Sequence, residues 1–144
     1  MGSSASISKV NYEDMQHHAR GASLHARLVI NTLPPSMQGC LILGTLPIDE
    51  EEGFVNATLN EPMGKEREII VYGKNANDDT VFKKYQQLIN LGFKHVCIYP
   101  GGMFEWLLLQ DIYGAVSFPT TSKEIDILKY KPPKRNVGNK MILN

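Results

Sequence analysis

Two short β-rich runs, Ile69-Ile70-Val71-Tyr72 and residues 95–99, alternate with two segments of helical periodicity, and this alternation limits the fold more than any other feature. The first run has charges before it and Gly73 after it, as expected of a central strand buried on both faces. Val81, Phe82, Tyr85, Leu88 and Ile89 then fall at helical spacing, and Gly92 closes that helix as its C′ residue. After the second run, Pro100-Gly101-Gly102 turns the chain into an apolar helix over residues 103–110, with Phe104, Trp106, Leu107 and Leu108. Strand, helix, strand, helix with so little chain between them predicts an α/β fold on a parallel sheet.

The first half reads similarly but less regularly. Residues 11–20 make a short helix capped by Asn11, and residues 28–32 a buried strand that Pro34-Pro35 terminates. Cys40-Leu41-Ile42-Leu43, closed by Gly44, reads as a further β-rich run. Acids at Asp49, Glu50, Glu51 and Glu52 complement the positive end of a helix dipole, which places a helix near residues 50–59.

At 144 residues the chain is one domain, long enough to bury a core without disulfides or a metal. Fifteen bases balance fifteen acids, which argues against a general nucleic-acid binder. The neutrality is segregated: residues 49–68 hold seven acids and two bases, whereas residues 123–144 hold six bases and two acids. Cys40 and Cys97 lie in apolar runs and read as buried packing thiols of a reducing compartment. No apolar stretch approaches the ~20 residues that span a bilayer, and the composition reads as soluble and cytoplasmic.

The stretch from residue 69 to 106 resembles the C-terminal half of a rhodanese (sulfurtransferase) domain. Tyr72, Gly92-Phe93, Val96, Gly101-Gly102 and Trp106 match that family's pattern in order and spacing. Residues 28–48 look like a degraded version of its earlier segment, with Asn31 at an Asp position and Ile42, Gly44 and Thr45 retained in kind. The resemblance covers roughly residues 7–119. It implies a three-layer α/β/α fold with a central, mainly parallel five-stranded sheet, organised as an arm (1–6), a rhodanese-like domain (7–122) and a basic tail (123–144).

For chemistry the resemblance implies a loss. Rhodaneses carry sulfur on one Cys just after the central strand, its thiolate held by backbone N–H groups and nearby Arg. The matching residue is Gly73, which has no nucleophile. The loop Gly73, Lys74, Asn75, Ala76, Asn77, Asp78 and Asp79 also sets two carboxylates where the family has Arg-Ser, and they repel an anionic substrate. The phosphatase chemistry known on this fold needs the same Cys and Arg. No catalytic residue is therefore assigned, and no cofactor.

Other constellations are weaker. His17, His18, His25 and His95 lack a ligating spacing, since adjacent residues on a helix point about 100° apart, and no metal site is expected. Gly101-Gly102 reads as close packing rather than an anion site, and Trp106 as core.

The start of the chain fits M-G-x-x-x-[ST], the signal for N-myristoylation of Gly2. A cloning remnant is the alternative, against which the absence of a polyhistidine run argues. One acyl chain holds a membrane only marginally, so a second signal is needed. Lys129, Lys131, Lys134, Arg135 and Lys140 follow the last acid and could supply it at an anionic leaflet, or bind a partner, or simply be solvated.

The sequence thus points to a non-catalytic rhodanese-like binding or scaffold module for a protein partner of unknown identity, tethered through Gly2 to a cytoplasmic membrane face. Residues 73–79 and 49–52 are the expected partner-facing surfaces. The alternatives are an enzyme whose thiol has moved to Cys40 or Cys97, and a membrane-associated structural protein.

Overall fold

The structure, a computed structural model, describes residues 7–19 and 27–134. Its elements in chain order are α1 (Tyr12–Ala19), β1 (Arg27–Asn31), α2 (Ile48–Leu59), β2 (Glu68–Tyr72), α3 (Asp79–Asn90), β3 (His95–Ile98) and α4 (Gly102–Tyr113). Short 3₁₀ turns lie at Pro35–Met37, Gly64–Glu66 and Ile127–Tyr130.

The strands form one parallel sheet in the order β1-β2-β3. Val29 pairs with Ile70, and Ile70 with Cys97. Because side chains alternate across a pleated strand, the sheet divides two cores cleanly. Leu28, Ile30, Ile69, Val71, Val96 and Ile98 pack with Val55 of α2 and with Val81 and Leu88 of α3. Val29, Ile70 and Tyr72 pack with Met15 of α1 and with Met103, Trp106 and Leu107 of α4. Helices therefore cover both faces, which is why β2 is apolar and buried from Ile69 to Tyr72.

The expected helix starts and stops have visible causes. Asn11 Oδ1 accepts from the backbone N–H of Glu13 and Asp14 at 3.0 and 3.1 Å, and caps α1. Gly92 follows α3 with φ +107°, a conformation that side chains rarely adopt.

The five-stranded sheet is a correction: among the described residues three strands form. Residues 40–43 contribute only an isolated antiparallel bridge, Ile42 to Thr120. The amides a ladder would use go elsewhere, Leu41 N–H to Thr121 Oγ1 and Ile42 N–H to the Tyr72 hydroxyl. The chain then turns at Gly44, φ +93°. Near the other edge Lys9 makes one parallel bridge to Ile98, too short for a strand.

The chain before residue 131 docks on the domain, while Lys131, Pro133 and Lys134 beyond it are exposed. Thr121 N–H donates to Leu41 O at 2.8 Å, Ser122 Oγ to Gly39 O at 2.8 Å, and the Tyr130 side chain is fully buried in the core of the α1/α4 face. The apolar pair Ile127 and Tyr130, three residues apart on one 3₁₀ turn, drives this docking.

Among the described residues no helix is long and apolar enough to cross a membrane.

Candidate functional site: the loop after the central strand

Sheet topology makes the carboxyl end of the central strand the natural place for a site in an α/β fold. There β2 ends at Tyr72, the chain runs through residues 73–79, and α3 begins. All seven predicted loop residues lie together, but the polar groups of Asn75 and Asp78 are directed inward.

Gly73 is buried, and the space beside its Cα is taken. A Cβ built there would lie 2.4 Å from Asp78 Oδ2, 2.6 Å from Val81 Cγ2 and 2.7 Å from Thr32 Oγ1. Asp78 Oδ2 accepts the Lys74 backbone N–H at 2.9 Å, while Oδ1 accepts from Thr80 N–H at 3.1 Å and from the Thr80 hydroxyl at 2.6 Å. Asp78 is thus the N-cap of α3 and its carboxylate engages the loop's own donors. Thr80 Oγ1 also lies 2.8 Å from Thr32 Oγ1 and accepts from it, since its own proton is on Asp78, and this ties the loop to the end of β1.

The second half of the framework is Gly102. Its φ is +64°, and a Cβ there would sit 2.6 Å from the Gly73 carbonyl oxygen. This close approach lets Met103 N–H donate to Gly73 O at 3.0 Å and Phe104 N–H to Lys74 O at 2.8 Å. The first amides of α4 are consumed by loop carbonyls, which accounts for the glycine pair as a packing feature.

Asn75 is buried at the centre of the loop. Its Oδ1 accepts from Asn77 N–H at 2.9 Å and its Nδ2 donates to Tyr130 O at 2.7 Å. Ala76, Asn77 and Asp79 are exposed, and Lys74 and Asp78 are half-buried. The sequence reading missed Asn75 as the contact to the chain's end and Tyr130 as its partner. The spacing of Ile127 and Tyr130 was the available signal.

Tyr72 anchors the strand end. Its hydroxyl lies 2.8 Å from Thr45 Oγ1 and accepts from Ile42 N–H, and complete burial raises its pKa far above the ordinary range. Asn31 is also internal. It accepts from Gln38 Nε2 at 2.7 Å and from Leu33 N–H at 3.0 Å, and so shapes the turn after β1.

Neither cysteine is in the loop. Cys97 is paired with Ile70, three residues before Gly73 along the sheet, on the order of 10 Å away. Burial raises its thiol to about 11, and its Sγ lies 3.6 Å from Ile69 O. Cys40 is buried and donates to Ser122 O at 3.3 Å; burial raises its pKa as well.

Of the acidic segment, Glu51 is turned inward onto Lys84 of α3 at 2.6 Å. Glu51, Glu52, Lys83, Lys84, Thr32 and Thr80 line part of a cleft of about 350 Å³, so the acidic segment shares a cleft with the first turns of α3, just past the loop. Of the basic residues, Lys129 is engaged within the chain. Its Nζ meets Glu124 at 2.5 Å and lies 5.4 Å from the Tyr130 ring centroid, and the ion pair raises the lysine pKa and lowers that of the glutamate. Lys131 and Lys134 are exposed, whereas Gly2, Arg135 and Lys140 lie outside the described residues. Among the described residues no group of three His, Cys, Asp or Glu side chains could hold a metal ion.

Residues 38–109 match the family model of the rhodanese-like domain, half of the chain. The protein belongs to the rhodanese-like domain family. Its fold is similar to a rhodanese-like domain from Anabaena sp. seen in solution (22 % identity, 90 % of this chain and 88 % of that one, TM-score 0.56). It is also similar to a protein from Bacillus halodurans (16 %, 86 % and 90 %, 0.55) and to an uncharacterized protein from Saccharomyces cerevisiae (16 %, 72 % and 93 %, 0.53). No curated protein matches the sequence.

Proposed function

We propose that this chain is a rhodanese-like binding module that does no sulfur-transfer chemistry. The observation that carries the reading is the loop after β2. The position that resembles the family's cysteine is Gly73, and the Asp78 carboxylate occupies the space a side chain there would need. A carboxylate already accepting from Lys74 N–H and Thr80 N–H also takes donors that would otherwise steady a thiolate or an anionic substrate.

The loop is read as a rigid recognition surface. Its exposed Ala76, Asn77 and Asp79 stand on a backbone fixed by α3, α4 and Asn75. The partner is a protein, and the adjoining Glu52 and Lys83 widen the surface it would meet. Recruitment to a cytoplasmic membrane face, through acylated Gly2 and the bases Lys131, Lys134, Arg135 and Lys140, belongs to the same proposal and is supported by the N-terminal signal pattern.

The test is incubation of the pure protein with thiosulfate and cyanide. No thiocyanate is expected. Turnover that disappears on replacing Cys40 or Cys97 would overturn the proposal in favour of an enzyme with a relocated thiol. Mass spectrometry of the natively expressed chain decides the tether: an unacylated Gly2 removes it.

A further inference from the structure

Beyond residue 119 the chain is fastened at two places, and the stretch 123–126 between them is lightly held. The first fastening is residues 119–122. Leu43 N–H donates to Pro119 O at 3.1 Å, Thr121 N–H to Leu41 O, and Ser122 Oγ to Gly39 O. The second is Tyr130, whose ring is fully buried and whose carbonyl accepts from Asn75 of the loop.

Between them, among the described residues, the backbone N–H groups of Lys123 and Glu124 make no backbone hydrogen bond, and those of Ile125 and Asp126 meet only the nearby Glu124 carboxylate. Ile125 and Leu128 point outward, 83 % and 64 % exposed. A groove of about 730 Å³ lies between this stretch and α4, lined in part by Leu107, Gln110, Asp111, Ile125 and Ile127. The part-buried Ile127 packs on the core beside Tyr130, so the stretch that crosses the surface is 123–126.

The second fastening is incomplete in one respect. The Tyr130 hydroxyl is buried with no hydrogen-bond partner among the described residues. A buried hydroxyl without a partner opposes its own burial, because water would satisfy it on release. One hydrogen bond from Asn75 and the apolar burial of the ring thus work against that unmet polar group. Tyr130 also closes a small cavity of about 170 Å³ that includes Cys40, Ser36 and Ser122.

We propose that residues 123–131 form a strap that closes over the loop after β2 and opens as a unit, bending at 123–126 and releasing at Tyr130. Opening uncovers Asn75, the Cys40 cavity and the apolar wall around Trp106, and so regulates access to the inner side of the loop. The part that gives the strap a role in partner binding rests on the loop being the recognition surface; the opening itself does not.

Cys40 and Cys97 supply the readout, since only Cys40 lies beneath the strap. In the full-length protein under native conditions, alkylation by iodoacetamide is followed separately at each thiol by mass spectrometry. When cleavage or labelling follows opening, its rate tracks the open population. Tyr130→Ala is expected to raise the Cys40 rate about tenfold or more with the Cys97 rate unchanged. Asn75→Ala, which removes the hydrogen bond to Tyr130 O, is expected to raise it in the same selective way but by less. An unchanged Cys40 rate in folded variants, or Cys40 and Cys97 rising together as in global unfolding, would overturn the strap. If Tyr130→Ala does not fold, Asn75→Ala decides alone. Thiocyanate formation by the unaltered protein, in contrast, overturns the non-catalytic reading and leaves the strap standing.

Discussion

The Asp78 carboxylate stands where a side chain on Gly73 would have to go, 2.4 Å from the Cβ position. Placing a cysteine there is therefore a packing problem before it is a chemical one. Gly73→Cys is expected to destabilise the fold by about 1–3 kcal/mol, the usual penalty of overpacking, and to give no thiocyanate from thiosulfate and cyanide. Urea unfolding midpoints and the enzymatic assay check the two parts. Combined with Asp78→Ala, the cost should be less than the sum of the single changes, because the two sites share the same space.

Gly102 is under a double constraint, a φ of +64° and an approach to the Gly73 carbonyl. Gly102→Ala should cost about 1–3 kcal/mol in backbone strain alone. A melting temperature within experimental error of the unaltered protein would contradict the close packing of α4 on the loop.

Tyr72→Phe removes the hydroxyl that holds Thr45 and the Ile42 amide, leaving a buried N–H without its acceptor. A loss of about 1–3 kcal/mol is expected in chemical denaturation, with the secondary structure by circular dichroism unchanged.

His18 should set the pH dependence on the mildly acidic side. It is buried beside Gly44, and neither ring nitrogen finds a partner among the described residues. Burial is the main cause of its lowered pKa, with the charges of Arg27 and His17 adding to it and the Gly44 backbone opposing. The unfolded chain then binds the proton more readily than the folded one. Stability is full above the unfolded value of 6.5 and declines as pH falls through the lower folded value. Urea midpoints should drop between pH 7 and pH 5, above the range where carboxylates titrate, and His18→Met should flatten that slope.

Both thiols should react slowly in the native state. For Cys97, raised to about 11, only on the order of one molecule in ten thousand carries a thiolate at pH 7. Labelling that reaches completion within minutes at neutral pH would contradict this, whereas fast labelling only after denaturation supports it.

Much of the framework could be read from local signals. The run 69–72, the spacing of Val81, Leu88 and Ile89, and the capping residues Asn11 and Gly92 specify elements that rely on near neighbours. The run 40–43 has the same β-rich composition and yet forms one bridge. Its amides are claimed by Thr121 and Tyr72, residues about 80 and 30 positions away, and no window of sequence contains both. The docking of Tyr130 is hidden for a related reason: Lys129 and Lys131 flank it in sequence, and only the assembled core buries the residue between them.

By itself, the sequence determined an α/β domain with a strand, loop and helix that lack a nucleophile at residue 73, because periodicity, caps and the identity of one residue are properties of short stretches. Tertiary structure alone decided what fills that place. Asp78 turns back onto Gly73, and Asn75 meets the carbonyl of Tyr130 across 55 positions. Which distant groups satisfy a buried donor or occupy a vacated volume depends on how the whole chain closes around the sheet, since close packing and hydrogen-bond satisfaction are conditions on the assembled fold.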